Sequence, residues 1–258
     1  ISDMGSLSYP SWEIRKEDID KEPKCYANTP QFGVVENGAA RVAVKVTREA
    51  EHSTVTQLVS LASDSEYIKV ENFVDWKSRR TMLKAVFPFS CFNSTASYDL
   101  GLGIIQRGNN SENLYEVPAQ KWADITDKSG EFGVSILSDS KHGWDKFNDN
   151  TLRLTAIHTP KKNYRIDSMQ SMMDLGKNIY SYAVFSHKGN VGSDTQLQAK
   201  MFTQPLTAVV FDKHQGKLGT SYSFGGGSSE AVIVRAIKLP HHNIDSGEII
   251  VRFNEGSN

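Results

Sequence analysis

With 29 basic and 30 acidic side chains among 258 residues, and a net charge of −1, the chain carries no electrostatic footprint for nucleic acid. No apolar run approaches the roughly 18 residues that a membrane span requires, so neither nucleic acid nor membrane is expected as a partner. A hydrophobic content of 38% and a charged content of 23% suit a globular chain that buries a sizeable core, and all-β folds of this length often form one domain.

The chain opens on ISDMGSLSYP, which lacks the basic-then-apolar layout of a signal peptide, and a cytoplasmic location is expected. Residues 1–30 read as a charged lead-in loop, dense in SWEIRKEDIDKEPK and interrupted by Pro10, Pro23 and Pro30; a chain that starts so is expected to be cut from a longer one. A β-domain is expected over 31–258. Glu36-Asn37-Gly38 signals a hairpin turn, and ARVAVKVTRE (40–49) then alternates Val42, Val44 and Val46 against Ala43, Lys45 and Thr47, the pattern of a half-buried strand. The same two-residue rhythm returns over 54–62, 67–76, 81–89, 131–137, 151–159, 178–187, 206–212, 230–239 and 248–254, with β-branched and aromatic residues inside the runs and Gly, Asn, Asp, Ser and Pro between them. Cys91 lies in an apolar strand and Cys25 in a polar segment, and both are expected as reduced thiols. Trp12, Trp76 and Trp122 are expected to pack in the core or at its edges. Asn148-Asp149-Asn150 marks another turn, and Asp174 with Gly176 an ordinary turn in which the carboxylate bonds its own backbone. Helical spacing is nearly confined to DTQLQAKMF (194–202), a two-turn helix that Asp194 would cap. FGGGSS (224–229) lacks the lysine and the strand-to-helix setting of a phosphate loop and reads as a hairpin tip. Parallel pairing would need crossover segments that are missing, so the fold class is all-β, a large antiparallel sandwich.

The usual catalytic signatures are missing. There is no HExxH, His-x-Asp or CxxC to gather zinc, and no Gly-x-Ser-x-Gly elbow to activate a nucleophile. Glycoside hydrolysis needs only two carboxylates across a sugar-sized gap, which 30 acidic residues neither exclude nor locate. The richest stretch is LSDSKHGWD, which concentrates Asp139, Lys141, His142, Trp144 and Asp145 on what reads as one short connection. Carboxylates and an ammonium suit sugar hydroxyls, and an indole suits the apolar face of a pyranose. A polar loop whose Trp144 folds back on the sandwich accounts for the same residues.

Seven pieces, in order, carry a resemblance: YPSWEIRKED, VDWKSRRTMLKAVFPF, EVPAQKWADITD, EFGVSILSDSKHGWD, NTLRLTAIHTP, MDLGKNIYSYAVFSHKG and EIIVRF. Together they resemble the C-terminal β domain of glycoside hydrolase family 38 α-mannosidases of the bacterial and cytosolic type. The resemblance implies a supersandwich similar to that of galactose mutarotases, packed on an N-terminal α/β barrel of the same polypeptide. It implies that the zinc, the carboxylate nucleophile and the acid/base residue belong to that barrel. This chain would then be the noncatalytic back half of a retaining, zinc-dependent exo-α-mannosidase acting on mannose-containing glycans, inactive by itself and without catalytic or metal-binding residues. By the same analogy LSDSKHGWD sits on the rim of the mannose-binding cleft, with Asp139 and Lys141 aligning hydroxyls and Trp144 offering a stacking face. Two departures stand out: only GNNSENL (108–114) fills a segment that is longer in relatives, and Asn178 stands where a histidine is common. A freestanding carbohydrate-binding module, and an aldose mutarotase or epimerase needing a histidine and a glutamate inside the sandwich, are the other readings.

Overall fold

Alternation makes the strands, and their pairing builds two sheets of unequal width. The computed structural model describes residues 12–27, 29–160, 173–217, 219–223, 225–226, 229 and 231–255. In chain order these form α1 (Lys16–Asp20), β1 (Gln31–Asn37), β2 (Arg41–Ala50), β3 (Ser53–Ala62), β4 (Tyr67–Trp76), β5 (Thr81–Pro88), β6 (Thr95–Asp99), β7 (Ile104–Gly108), β8 (Val117–Pro118), β9 (Trp122–Thr126), β10 (Phe132–Ser138), β11 (Gly143–Asn148), β12 (Thr151–Thr159), β13 (Gly176–Lys188), α2 (Ser193–Thr203), β14 (Val232–Lys238) and β15 (Ile250–Glu255). The wide sheet has nine strands in the order β1-β2-β3-β4-β13-β10-β9-β6-β7, the narrow one four in the order β5-β12-β11-β8, and β14 pairs with β15. Every pairing is antiparallel, and the protein is an all-β sandwich as the alternation predicts. Among the described residues no helix is long and apolar enough to cross a membrane.

The main core lies between the sheets, where Val70, Val74, Tyr98, Ile125 and Ile136 of the wide sheet meet Trp144, Leu152, Leu154 and Ile157 of the narrow one. Because successive side chains in a strand point to opposite faces, Leu137, Ala183 and Phe185 emerge on the far side of the wide sheet. There they pack with Trp122 against Ala199 and Phe202 of α2. The wide sheet outruns its partner. Val34 faces Val44, Val44 faces Val59 and Val59 faces Val70, a single row across four strands that runs out of the core. At its outer end Val34 is 70% exposed and its neighbour Phe32 77%.

Several expectations need correction. Residues 12–27 are not simply a lead-in loop: α1 lies over the outer face of the narrow sheet with Asp18 and Ile19 buried. Trp12 is 82% exposed instead of packed, whereas Trp76 and Trp122 are buried as expected, the former donating from Nε1 to Thr159 Oγ1 at 2.8 Å. Residues 206–212 form no strand despite their apolar character, because none of the described strands lies beside them to accept their backbone bonds. The helix over 194–202 forms, but Gly192 occupies the capping position; Asp194 lies in the first turn and makes no capping bond. Asp174, at a positive φ of 55°, uses its carboxylate to accept the His158 N–H from a neighbouring strand rather than to bond its own turn. The hairpin tip expected over 224–229 and the opening ISDMGSLSYP involve residues outside the described set.

Candidate functional site

LSDSKHGWD turns out to be two things. Residues 139–142 connect β10 in the wide sheet to β11 in the narrow one, and Gly143–Asn148 is strand. The connection is tightly held. Ser138 Oγ donates to Lys141 O at 2.8 Å and accepts from Lys141 N at 3.1 Å. Asp139 spends one carboxylate oxygen on the Ser181 N–H at 2.9 Å and the other on the Ser140 hydroxyl at 2.7 Å. The Lys141 ammonium sits 5.1 Å from the centre of the Tyr180 ring, within cation–π range. His142 is exposed, and its Nδ1 faces Gln120 O at 2.9 Å and Ala119 O at 3.2 Å. Since carbonyls only accept, Nδ1 carries the proton and Nε2 is left at the exposed edge as an acceptor. Asp139, Lys141 and His142 therefore come together on one surface turn.

Trp144 and Asp145 do not join them, which corrects the expected stacking face and rim carboxylate. In strand β11 side chains alternate, so Trp144 points into the core at 0% exposure and Asp145 points to the outer face of the narrow sheet at 1%. An indole with both faces covered offers no platform to a pyranose. At Gly143 a Cβ would lie 2.5 Å from Glu116 Oε1, so a larger residue there would displace the Glu116 carboxylate that Lys84 and Thr155 hold.

Asp145 instead centres a buried ion network beneath α1. It accepts from Arg153 Nε at 2.7 Å, from Lys84 Nζ at 2.8 Å and from Asn110 Nδ2 at 3.1 Å. Lys84 also donates to Glu116 and to Thr155 Oγ1, and Arg153 reaches Ile19 O at 3.3 Å, which ties α1 to the sheet. Burial alone would raise the Asp145 pKa, but Lys84 and Arg153 together outweigh it and hold the carboxyl below its usual range. Two positive and two negative side chains locked against one another hold a surface closed rather than do chemistry.

A second cluster went unnoticed in the sequence because its members lie on four separate segments. On the outer face of the wide sheet, Asp124 Oδ2 accepts from Ser135 Oγ at 2.7 Å and lies 2.8 Å from His187 Nε2, while Asp124 Oδ1 accepts from Thr126 Oγ1 at 2.7 Å. Thr195 of α2 closes over Ser135 at 3.3 Å. Serine, histidine and aspartate here do not form a catalytic relay: serine and histidine compete for one carboxylate oxygen, whereas nucleophile activation needs the base between the other two. Among the described residues no group of three or more His, Cys, Asp or Glu side chains converges as a metal site.

Comparison with known proteins places this architecture. Residues 4–165 match the family described as the glycosyl hydrolases family 38 C-terminal domain. The chain is 31% identical to an alpha-mannosidase of Saccharomyces cerevisiae over 216 residues, covering 78% of this chain and 19% of that one. It is 22% identical to alpha-mannosidase 2C1 of Homo sapiens over 255 residues, covering 96% and 24%. Two solved structures from Enterococcus faecalis, a glycosyl hydrolase family 38 protein and an alpha-mannosidase, superpose with a TM-score of 0.78 at 16% identity. They match 98% of this chain, which covers 33% and 32% of theirs. The chain thus spans a quarter or less of the length of these curated relatives.

Proposed function

This chain belongs to the family of glycosyl hydrolase family 38 C-terminal domains, and on that premise we propose that it is the noncatalytic C-terminal part of a retaining, zinc-dependent exo-α-mannosidase. In this reading it packs on the N-terminal catalytic barrel of the same polypeptide, which carries the zinc, and forms part of the wall of a cleft for mannose-containing glycans. The observation that carries it is the uncovered end of the wide sheet. Phe32 and Val34 continue a core-facing valine row into solvent, beyond the reach of the narrow sheet. An apolar row of this kind is stabilised by another layer of protein laid over it, at about 25 cal/mol per Å² of apolar surface removed from water. The β10–β11 turn supplies the cleft wall: Asp139 and Lys141 are immobilised by Ser181 and Tyr180, and His142 presents Nε2 to a hydroxyl. Such fixed polar groups orient a sugar without supplying a reacting atom.

The test compares the chain by itself with the full-length enzyme. Phe32→Lys and Val34→Lys are expected to change the stability of the 258-residue chain by no more than about 0.5 kcal/mol, since both sites are exposed. In the full-length enzyme the same pair is expected to lower the melting temperature and the hydrolysis of 4-nitrophenyl α-mannoside. An unaffected full-length enzyme would remove the docking face, and mannose released by the chain alone would remove the noncatalytic role.

A further inference from the structure

The outer face of the wide sheet changes character where α2 stops covering it. Under the helix Trp122, Leu137, Ala183 and Phe185 form an apolar patch beside the buried Asp124–Ser135 pair. Beyond it, Thr95 and Ser97 of β6, Gln106 of β7 and Thr126 of β9 form the floor of a cavity of about 480 Å³. The turn at 127–130 and the connection at Asn190 make its walls. This volume lies within the range of ligand cavities.

The groups inside are neutral apart from Asp127, whose carboxylate is bonded, and Lys128 on the exposed rim. Asp127 gives its oxygens to the Ser129 N–H at 2.9 Å and the Phe92 N–H at 3.1 Å. Thr126 is turned to Asp124, and the cation on the rim, Lys128, is drawn toward Asp149 at 3.7 Å. Asn93 accepts from Thr95 and donates to Thr126 O, which fixes the floor. What remains for a guest are the Ser97 hydroxyl and the Gln106 and Asn190 amides, which line the cavity and bond to no other side chain or backbone group among the described residues. One hydroxyl and two amides supply both donors and acceptors and no net charge. That chemistry suits a neutral polar guest, since the rim pair of Lys128 and Asp149 adds no net charge and a greasy ligand would leave the floor unsatisfied.

We infer that this cavity is a binding site for a neutral saccharide, held through its hydroxyls by Ser97, Gln106 and Asn190 and lying on the opposite face of the wide sheet from the main core. It does not depend on the cleft-wall reading, because the cleft turn at 139–142 contributes none of its lining. Held by neutral hydrogen bonds without an aromatic platform among the lining residues, the guest binds weakly, with a Kd on the order of 1 mM.

The experiment follows backbone amide shifts of the full chain during titration with α-1,2-mannobiose, with glycerol and inorganic phosphate as separate arms. Saturable shifts at Gln106, Gly130 and Asn190 are expected with mannobiose, at concentrations where glycerol and phosphate cause none. Gln106→Ala, on an exposed edge strand, is expected to weaken binding about tenfold with the rest of the spectrum unchanged. Ser97→Val, which keeps strand propensity, serves as the second variant with the same expected loss. Absence of shifts at these amides, equal shifts with glycerol, shifts produced by phosphate instead, or undiminished binding in both variants would each overturn the assignment.

Discussion

Replacing Asp145 by asparagine removes one charge from the network beneath α1 while preserving its shape. Asp145 is 1% exposed and accepts bonds of 2.7, 2.8 and 3.1 Å from Arg153, Lys84 and Asn110. After substitution Lys84 keeps the Glu116 carboxylate, whereas Arg153 loses the carboxylate that Asp145 gave it. Leaving a buried charge without its partner costs about 3–5 kcal/mol, far more than the pair gains over well-packed apolar residues. In a chain of this size each kcal/mol moves the melting temperature by about 2–4 °C, so Asp145→Asn is expected to lower it by about 6–20 °C. The assay is thermal and urea unfolding followed by circular dichroism. Asp139→Asn is the control: its carboxylate is exposed and bonds one backbone N–H and one hydroxyl, so about 1 kcal/mol or less is expected. The pH dependence gives an independent reading. The folded-state pKa of Asp145 is depressed, so its contribution is present above its unfolded value near 4 and is lost as pH falls through the folded pKa. An Asp145→Asn protein within about 0.5 kcal/mol of the parent would refute this account of the network.

Trp144→Ala is expected to destabilise the chain by about 3–5 kcal/mol in urea titrations, because it empties a fully buried site, and any loss of sugar affinity would accompany that unfolding. Burial alone would lower the His187 pKa, but the Asp124 carboxylate outweighs it and raises it. This contribution is therefore present below about pH 6.5 and lost as pH rises through the folded pKa, and Asp124→Asn is expected to flatten the stability profile in that range. Gly133→Ala would place a Cβ 2.6 Å from the His187 ring, and displacement of that ring is expected to abolish its raised pKa in an imidazole NMR titration. A thiol reagent is expected to titrate Cys25 in the native chain and Cys91 only after denaturation, because Cys25 is exposed whereas burial both shields the Cys91 thiol and pushes its pKa up.

Long strands were legible, since alternation over 67–76 and 151–159 coincides with β4 and β12 from end to end. Short ones were not. β6 and β7 have five residues each, too few for a two-residue rhythm to stand out from a loop. At the candidate site, the surface turn of Asp139, Lys141 and His142 followed from composition. The separation of Trp144 and Asp145 from it did not, because WD reads as loop until Gly143 is seen pairing with both Thr155 and Pro118. Residues 206–212 fail the other way: they have the apolar character of a strand and pair with none of the described strands.

What the sequence by itself determined is the local code: which runs extend, where turns such as Glu36-Asn37-Gly38 reverse them, and to which family the ordered motifs belong. These depend on side-chain chemistry within a few residues, or on the order of motifs along the chain. Only the tertiary structure decided what faces what. That nine strands lie over four, that Asp145 meets Lys84 across 61 residues, and that Asp124 meets His187 across 63 are matters of register and layer width. A strand's alternation says that it has two faces and is silent on which becomes interior, because that depends on partners brought from far along the chain.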